Sequence, residues 1–193
     1  MATQLLEKPL VQHLVPIRNR LLRTGFQIGA GIVLLALLAQ IRIELGPVPL
    51  TGQTLGVLLI GAAYGVGLGS LTVVAYLIVG GLGLGVFAGG ASGWAVFGGP
   101  TAGYLIGFVL AAALVGYLAQ RGWGRRFYTT ALAMLLGNIV IYLSGLLWLS
   151  QIAPDVRTTL QWGLIPFLPG DVIKLLIAAS LLPVAWRMLG KRT

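Results

Sequence analysis

The chain has 193 residues, of which 58% are hydrophobic and only 9% charged, against about 25% charged in an ordinary soluble domain. Thirteen Lys and Arg and four Asp and Glu cannot cover a core of this size with polar surface. That excludes a soluble globular domain, and the apolar content excludes a disordered chain. With no cysteine, disulfides, thiolate metal sites and Cys nucleophiles are excluded together.

Residues 1–24 carry charges, two prolines and the only histidine, His13. They read as a cytoplasmic N-terminal segment, with no cleavage pattern of a signal peptide. Residues 25–193 then form one transmembrane domain. A membrane helix needs about 20 apolar residues. Six spans are predicted, over 26–43, 53–66, 69–87, 100–120, 128–149 and 170–188. The second and third are short and rich in glycine.

Basic residues orient these spans. Lys8, Arg18, Arg20, Arg23, Arg121, Arg125, Arg126, Arg187, Lys191 and Arg192 fall on one side when the N-terminus lies inside, ten of the thirteen. The bias places both termini in the cytoplasm. The net charge of +9 is therefore a topology signal and not a nucleic-acid footprint. Trp94, Trp148 and Trp162 fall near the predicted outer boundary, and Trp123 and Trp186 near the inner one. Glycines four apart, at Gly61, Gly65 and Gly69 and at Gly99, Gly103 and Gly107, predict close helix packing.

The sequence offers little for catalysis. It has no phosphate-binding GxxxxGK[ST] loop, and Ser92 in its Gly-Ala-Ser-Gly setting lacks an intramembrane histidine to activate it. Four scattered carboxylates and one histidine predict no metal centre. Arg42, Glu44, Asp155 and Arg157 read as solvated loop charges.

Polar residues collect instead where spans 2, 4 and 6 enter from the outer side. The entries are Gly46-Pro47-Val48-Pro49-Leu50-Thr51-Gly52-Gln53, Gly98-Gly99-Pro100-Thr101-Ala102-Gly103-Tyr104 and Phe167-Leu168-Pro169-Gly170-Asp171-Val172-Ile173-Lys174. Three helix N-termini with hydrogen-bonding groups would then meet at one level, as a pocket for a small polar ligand requires. Asp171 and Lys174 are three apart and share a helix face. A charge at the centre of a membrane helix costs about 2.5–3.5 kcal/mol, so intramembrane charges point to function. Asp171 gains from the helix N-terminus, whereas Lys174 needs an anion or another acceptor. Tyr76 and Asn138, in the bodies of spans 3 and 5, are open to either a cavity or a helix–helix role.

The block from Gly46 to Gly90, then Gly-Pro-Thr-Ala-Gly-Tyr at 99–104 and Pro-Gly-Asp-Val-Ile-Lys at 169–174, together resemble the BioY family. That family comprises the biotin-binding S components of bacterial energy-coupling-factor (ECF) transporters. The resemblance runs from about Ala36 to Ala179. It implies an all-α S-component fold with six membrane helices, and biotin bound and taken up near the outer face of the bacterial cytoplasmic membrane. It also implies a transporter subunit without its own ATPase or any catalytic residue. Biotin would be the transported ligand, with no cofactor, and a membrane subunit and two ATPase subunits would be partners. Residue by residue, it implies ligand-binding roles for Asp171 and Lys174, a gating-loop role for Thr51 and Gln53, and contributions from Tyr76, Tyr104 and Gly103. Phe87, Trp94 and Phe97 would supply an apolar lining for the ring and valeryl chain. The family's small-xxx-small stripe on span 1 is interrupted, because Gln40 stands where an alanine would complete it from Ala36. An S component for another vitamin, or an intramembrane enzyme using Asp171 and Lys174 as acid and base, are the competing readings.

Overall fold

The computed structural model describes residues 9–11 and 19–190, with side chains to Met188. His13 and the basic residues Lys8, Arg18, Lys191 and Arg192 lie outside them. In a bilayer every backbone polar group must be satisfied within the protein, and helices do this most simply. Among the described residues six α-helices make up most of the chain: α1 Arg20–Gln40, α2 Gln53–Gly81, α3 Ala102–Gln120, α4 Phe127–Leu149, α5 Val156–Gly163 and α6 Leu168–Gly190. Five helical stretches among the described residues, with α5 and α6 counted as one, are long and apolar enough to cross a membrane.

Asn19 caps α1 by accepting from the backbone N–H groups of Leu21 and Leu22. The helix thus starts six residues before the hydropathy boundary at 26. It buries only the line Gln27, Gly31, Leu35 and Ala39, spaced by four, and leaves large apolar side chains such as Leu22, Phe26 and Leu37 outward. That pattern fits a lipid-facing helix.

The predicted spans 53–66 and 69–87 are a single element, α2, that folds back on itself. Gly65 has φ +76° and ψ 177°, a conformation close to glycine-only. A Cβ added to Gly69 would lie 3.2 Å from the Cα of Gly61, eight residues earlier. Gln53 and Tyr76, at opposite ends of the element, are hydrogen-bonded. The two arms therefore run antiparallel from a turn at Gly65. Gln120 of α3 accepts a hydrogen bond from the Val66 N–H and so caps the second arm.

Small residues set the helix spacing, as the glycine stripes predict. Gly61 packs against the backbone of Ala112 on α3, and Gly116 against that of Gly65 and Val66. Gly103 and Gly107 pack against Ser144, Gly145 and Ile141 on α4. The core runs between α2, α3 and α4 through Val57, Ile60, Val73, Ala111, Val115, Met134 and Ile141.

Three features escape the hydropathy reading. A two-residue hairpin pairs β1 Arg42–Ile43 with β2 Leu50–Thr51, antiparallel, with Arg42 opposite Thr51. The last turn of α2 ends at Gly81, so Phe87 sits in an irregular segment and not on a helix. The short α5 lies in the segment before α6; Asp155 caps it by accepting from the Thr158 N–H. The same bond holds the exposed Asp155 carboxyl below its ordinary pKa.

Candidate functional site

The N-terminal turns of α2, α3 and α6 meet at one cavity of about 160 Å³. The β2 side supplies Val48, Pro49, Leu50 and Thr51, and α2 supplies Gln53 and Thr54. The segment after α2 contributes Phe87, Ala88, Ala91 and Val96. Thr101, Tyr104, Leu105 and Phe108 close it from α3 and the residue before it, Ile141 and Tyr142 from α4, and Phe167, Asp171 and Lys174 from α6 and its approach. The lining is mainly apolar with a few convergent polar groups, the usual constitution of a small-molecule site.

Its polar centre is on α6. Lys174 Nζ donates to Asp171 Oδ1 at 3.0 Å and to Thr54 Oγ1 at 2.9 Å. The Tyr142 hydroxyl donates to the second carboxylate oxygen, Oδ2. Both charged side chains are largely withdrawn from the surface, Asp171 to 9% and Lys174 to 15% exposure. Burying them singly would be costly, and the pair with its two hydroxyl partners offsets that cost. A lysine ammonium has three donors, and two are engaged here. The carboxylate can accept more bonds than the two it has. The centre can therefore both donate to and accept from a ligand.

A second polar chain starts from Thr51 and Gln53 of the cavity wall. Thr51 Oγ1 donates to Gln53 Oε1 at 3.0 Å, and Gln53 Nε2 donates to the Tyr76 hydroxyl at 2.7 Å. That hydroxyl donates in turn to the Val86 carbonyl at 2.8 Å. Tyr76 is fully buried and lies behind the cavity wall, not on it. Its phenol ties the second arm of α2 to the start of α2 and to the segment carrying Phe87. Gln40 reinforces this by donating to the Phe87 carbonyl at 3.2 Å. The Arg42 guanidinium, ion-paired to Glu44 at 2.9 Å, lies where a Cβ on Gly89 would be. Gly89 has φ +68°, so that position tolerates little but glycine on both counts.

Of the residues singled out in the sequence, the structure brings Thr51, Gln53, Phe87, Tyr104, Asp171 and Lys174 to the cavity wall. Trp94 is not on it. It is 60% exposed and packs on Gly81 and on Phe97, at 5.5 Å between ring centroids. Phe97 meets Phe87 edge to face at 5.9 Å, so Phe87 alone of the three presents its ring to the cavity. Gly103 faces α4, where a Cβ would overlap the Ser144 carbonyl; Ser144 Oγ donates to the Gly103 carbonyl at 2.7 Å. Tyr104 spans both roles: its ring lines the cavity and its hydroxyl donates to the Gly163 carbonyl at 2.8 Å. The sequence reading missed Thr54 and Tyr142. Thr54 was legible as the acceptor that Lys174 needs, next to Gln53. Tyr142 lies in the outer third of span 5 with no sequence signal beyond its hydroxyl; the fold brings it to Asp171.

The sequence model of the BioY family matches residues 11–191. This chain belongs to the BioY family. A "Biotin transporter BioY" from Rhizobium etli is 38% identical over 157 residues, covering 78% of this chain and 84% of the relative. One from Thermotoga maritima is 40% identical over 154 residues, covering 79% and 90%. A solved structure, the S-component for biotin from an ECF-type ABC transporter, superposes with a TM-score of 0.78 at 28% identity, covering 90% of this chain and 95% of the other. The helical architecture of this BioY-family chain is thus that of an ECF S component, a transporter subunit and not an enzyme.

Proposed function

We propose that this chain binds biotin from the outer side of the cytoplasmic membrane and carries it inward as the S component of an ECF transporter. The observation that carries the reading is the Asp171–Lys174 pair, held by Tyr142 and Thr54 inside an otherwise apolar cavity. Biotin's ureido ring has two N–H donors and one carbonyl acceptor. Asp171 accepts from the ring, and Lys174 donates to an acceptor on the ligand. The thioether ring and valeryl chain lie against Phe87, Leu105, Phe108 and Phe167. Thr51 and Gln53 close the site from the β2 side.

The two arms of α2 count as separate membrane segments in this reading, six in all with α1, α3, α4 and α6. Both termini then face the cytoplasm, residues 1–24 form a cytoplasmic lead, and residues 25–193 form the membrane domain. The turn at Gly65 supports that count, and the clustering of Arg121, Arg125 and Arg126 between α3 and α4 supports the orientation. A membrane subunit and two ATPase subunits supply the energy, as this sequence has no nucleotide-binding loop. Uptake of radiolabelled biotin into a biotin-auxotrophic bacterium lacking its own transporter tests the proposal. Expression of the chain, with ECF partners, should restore uptake, and the Lys174→Met variant should not. Restoration by a different vitamin's uptake instead would overturn the assignment.

A further inference from the structure

Tyr142 occupies an unusual place. It lines the cavity, and it also lines an open, almost wholly apolar groove of about 590 Å³ on the outside of the bundle between α4 and α6. Leu135, Leu143 and Leu146 of α4 and Leu168 and Val172 of α6 are among the residues that line that groove. Several of these side chains are exposed on the surface that meets lipid, among them Leu143 and Val172. Among the described residues, Tyr142 and Asp171 alone line both cavity and groove. Their side chains are joined by the hydrogen bond from the phenol to Oδ2. The Tyr142 ring is further held edge to face against Tyr104, 6.4 Å between centroids. Lys174 takes Oδ1, so the two partners fix the carboxylate plane from both sides.

We infer that Tyr142 is a positioning residue of the binding site with two faces. Its hydroxyl sets the Asp171 carboxylate for the ligand, and its ring closes the cavity against the bilayer along the α4–α6 groove. The identity of the ligand rests on the biotin reading; the wall does not. Without the phenol, Asp171 rotates about its side chain and loses its orientation. Without the ring, the cavity opens sideways into hydrocarbon, where an acyl chain competes for its apolar lining and a charged pair is exposed to lipid.

Three readouts separate the parts. Titration of biotin into the purified, detergent-solubilised chain should show Tyr142→Phe binding about tenfold more weakly, the scale of a lost hydrogen bond to a charged group. The infrared carboxylate band of Asp171, identified as the one lost in Asp171→Asn, should shift in ligand-free Tyr142→Phe; a purely structural Tyr142 would leave it in place. The chain has no native cysteine, so Leu105→Cys gives a single thiol on the cavity wall. In vesicles its labelling by a lipid-soluble maleimide should stay slow beside Tyr142→Phe and rise several-fold beside Tyr142→Ala. An unshifted band with wild-type affinity in Tyr142→Phe overturns the orienting role. Unchanged labelling beside Tyr142→Ala overturns the wall. If the wild type binds no biotin, the functional reading fails while the band and the labelling still judge Tyr142.

Discussion

Tyr76→Phe removes one oxygen from a fully buried site and should weaken ligand binding without dismantling the bundle. The phenol donates to the Val86 carbonyl at 2.8 Å and accepts from Gln53 Nε2 at 2.7 Å. The ring stays in place, still edge to face with Phe87 at 5.4 Å. The variant therefore strands one buried acceptor and one buried donor. Each stranded group costs about 1–3 kcal/mol. Val86 precedes Phe87 on the segment that closes the cavity, and that segment can relieve the strain only by moving away from the wall. Taking about 2 kcal/mol as the part felt by the closed, ligand-bound arrangement gives an affinity about 30-fold weaker. Isothermal titration of the purified protein with biotin measures it, with the thermal midpoint as a control for folding. Gln53→Ala in the Tyr76→Phe background should add much less than it does alone, because the two side chains form one chain of bonds. A Tyr76→Phe protein that is folded and binds within threefold of wild type would refute the reasoning.

Gly65→Ala should lower the thermal midpoint strongly, because φ +76° with ψ 177° costs a side chain about 1–3 kcal/mol. The new Cβ would also lie 2.9 Å from Pro9 and 3.0 Å from Gln120; a variant as stable as wild type would contradict the turn described. Gln40→Ala removes the bond to the Phe87 carbonyl and should speed ligand release by several-fold in stopped-flow displacement, about 1 kcal/mol, with little change in stability. Because the sequence lacks cysteine, single cysteines at the exposed positions Arg126 and Arg157 report sidedness. A membrane-impermeant thiol reagent applied to whole cells should label the Arg157→Cys protein and spare the Arg126→Cys protein.

The cavity end of the molecule was largely legible in the sequence because membrane burial makes polarity expensive. Asp171 and Lys174 stand out for that reason, as do the Pro- and Gly-rich entries that begin α2, α3 and α6. The glycine stripes were equally readable as close packing, and Gly103 shows where packing and a family-derived ligand role diverge: its missing Cβ makes room for Ser144 on α4. Tyr142 was harder to see. A phenol in an apolar run reads as bulk, and only the fold brings it to within hydrogen-bonding reach of a carboxylate 29 positions on. Trp94 stands outside the cavity lining. Its size suggests a lining residue, yet the tight packing on Gly81 and Phe97 turns it outward. The β1–β2 hairpin is two residues per strand, too short for any period to show. The helix α5 carries its signal in the cap at Asp155, which hydropathy ignores.

Biotin binding by the purified protein beside its Asp171→Asn variant tests the site most directly. Substituting the amide keeps the shape of the side chain and removes the charge that Lys174 and Tyr142 hold in place. Saturable, tight binding by the wild type and a loss of about tenfold to a hundredfold in the folded variant are the predicted results, since a ligand hydrogen bond to a charged acceptor is worth about 1.5–3 kcal/mol. Equal binding by both proteins would move the ligand away from α6, and no binding by a folded wild type would contradict the biotin assignment itself.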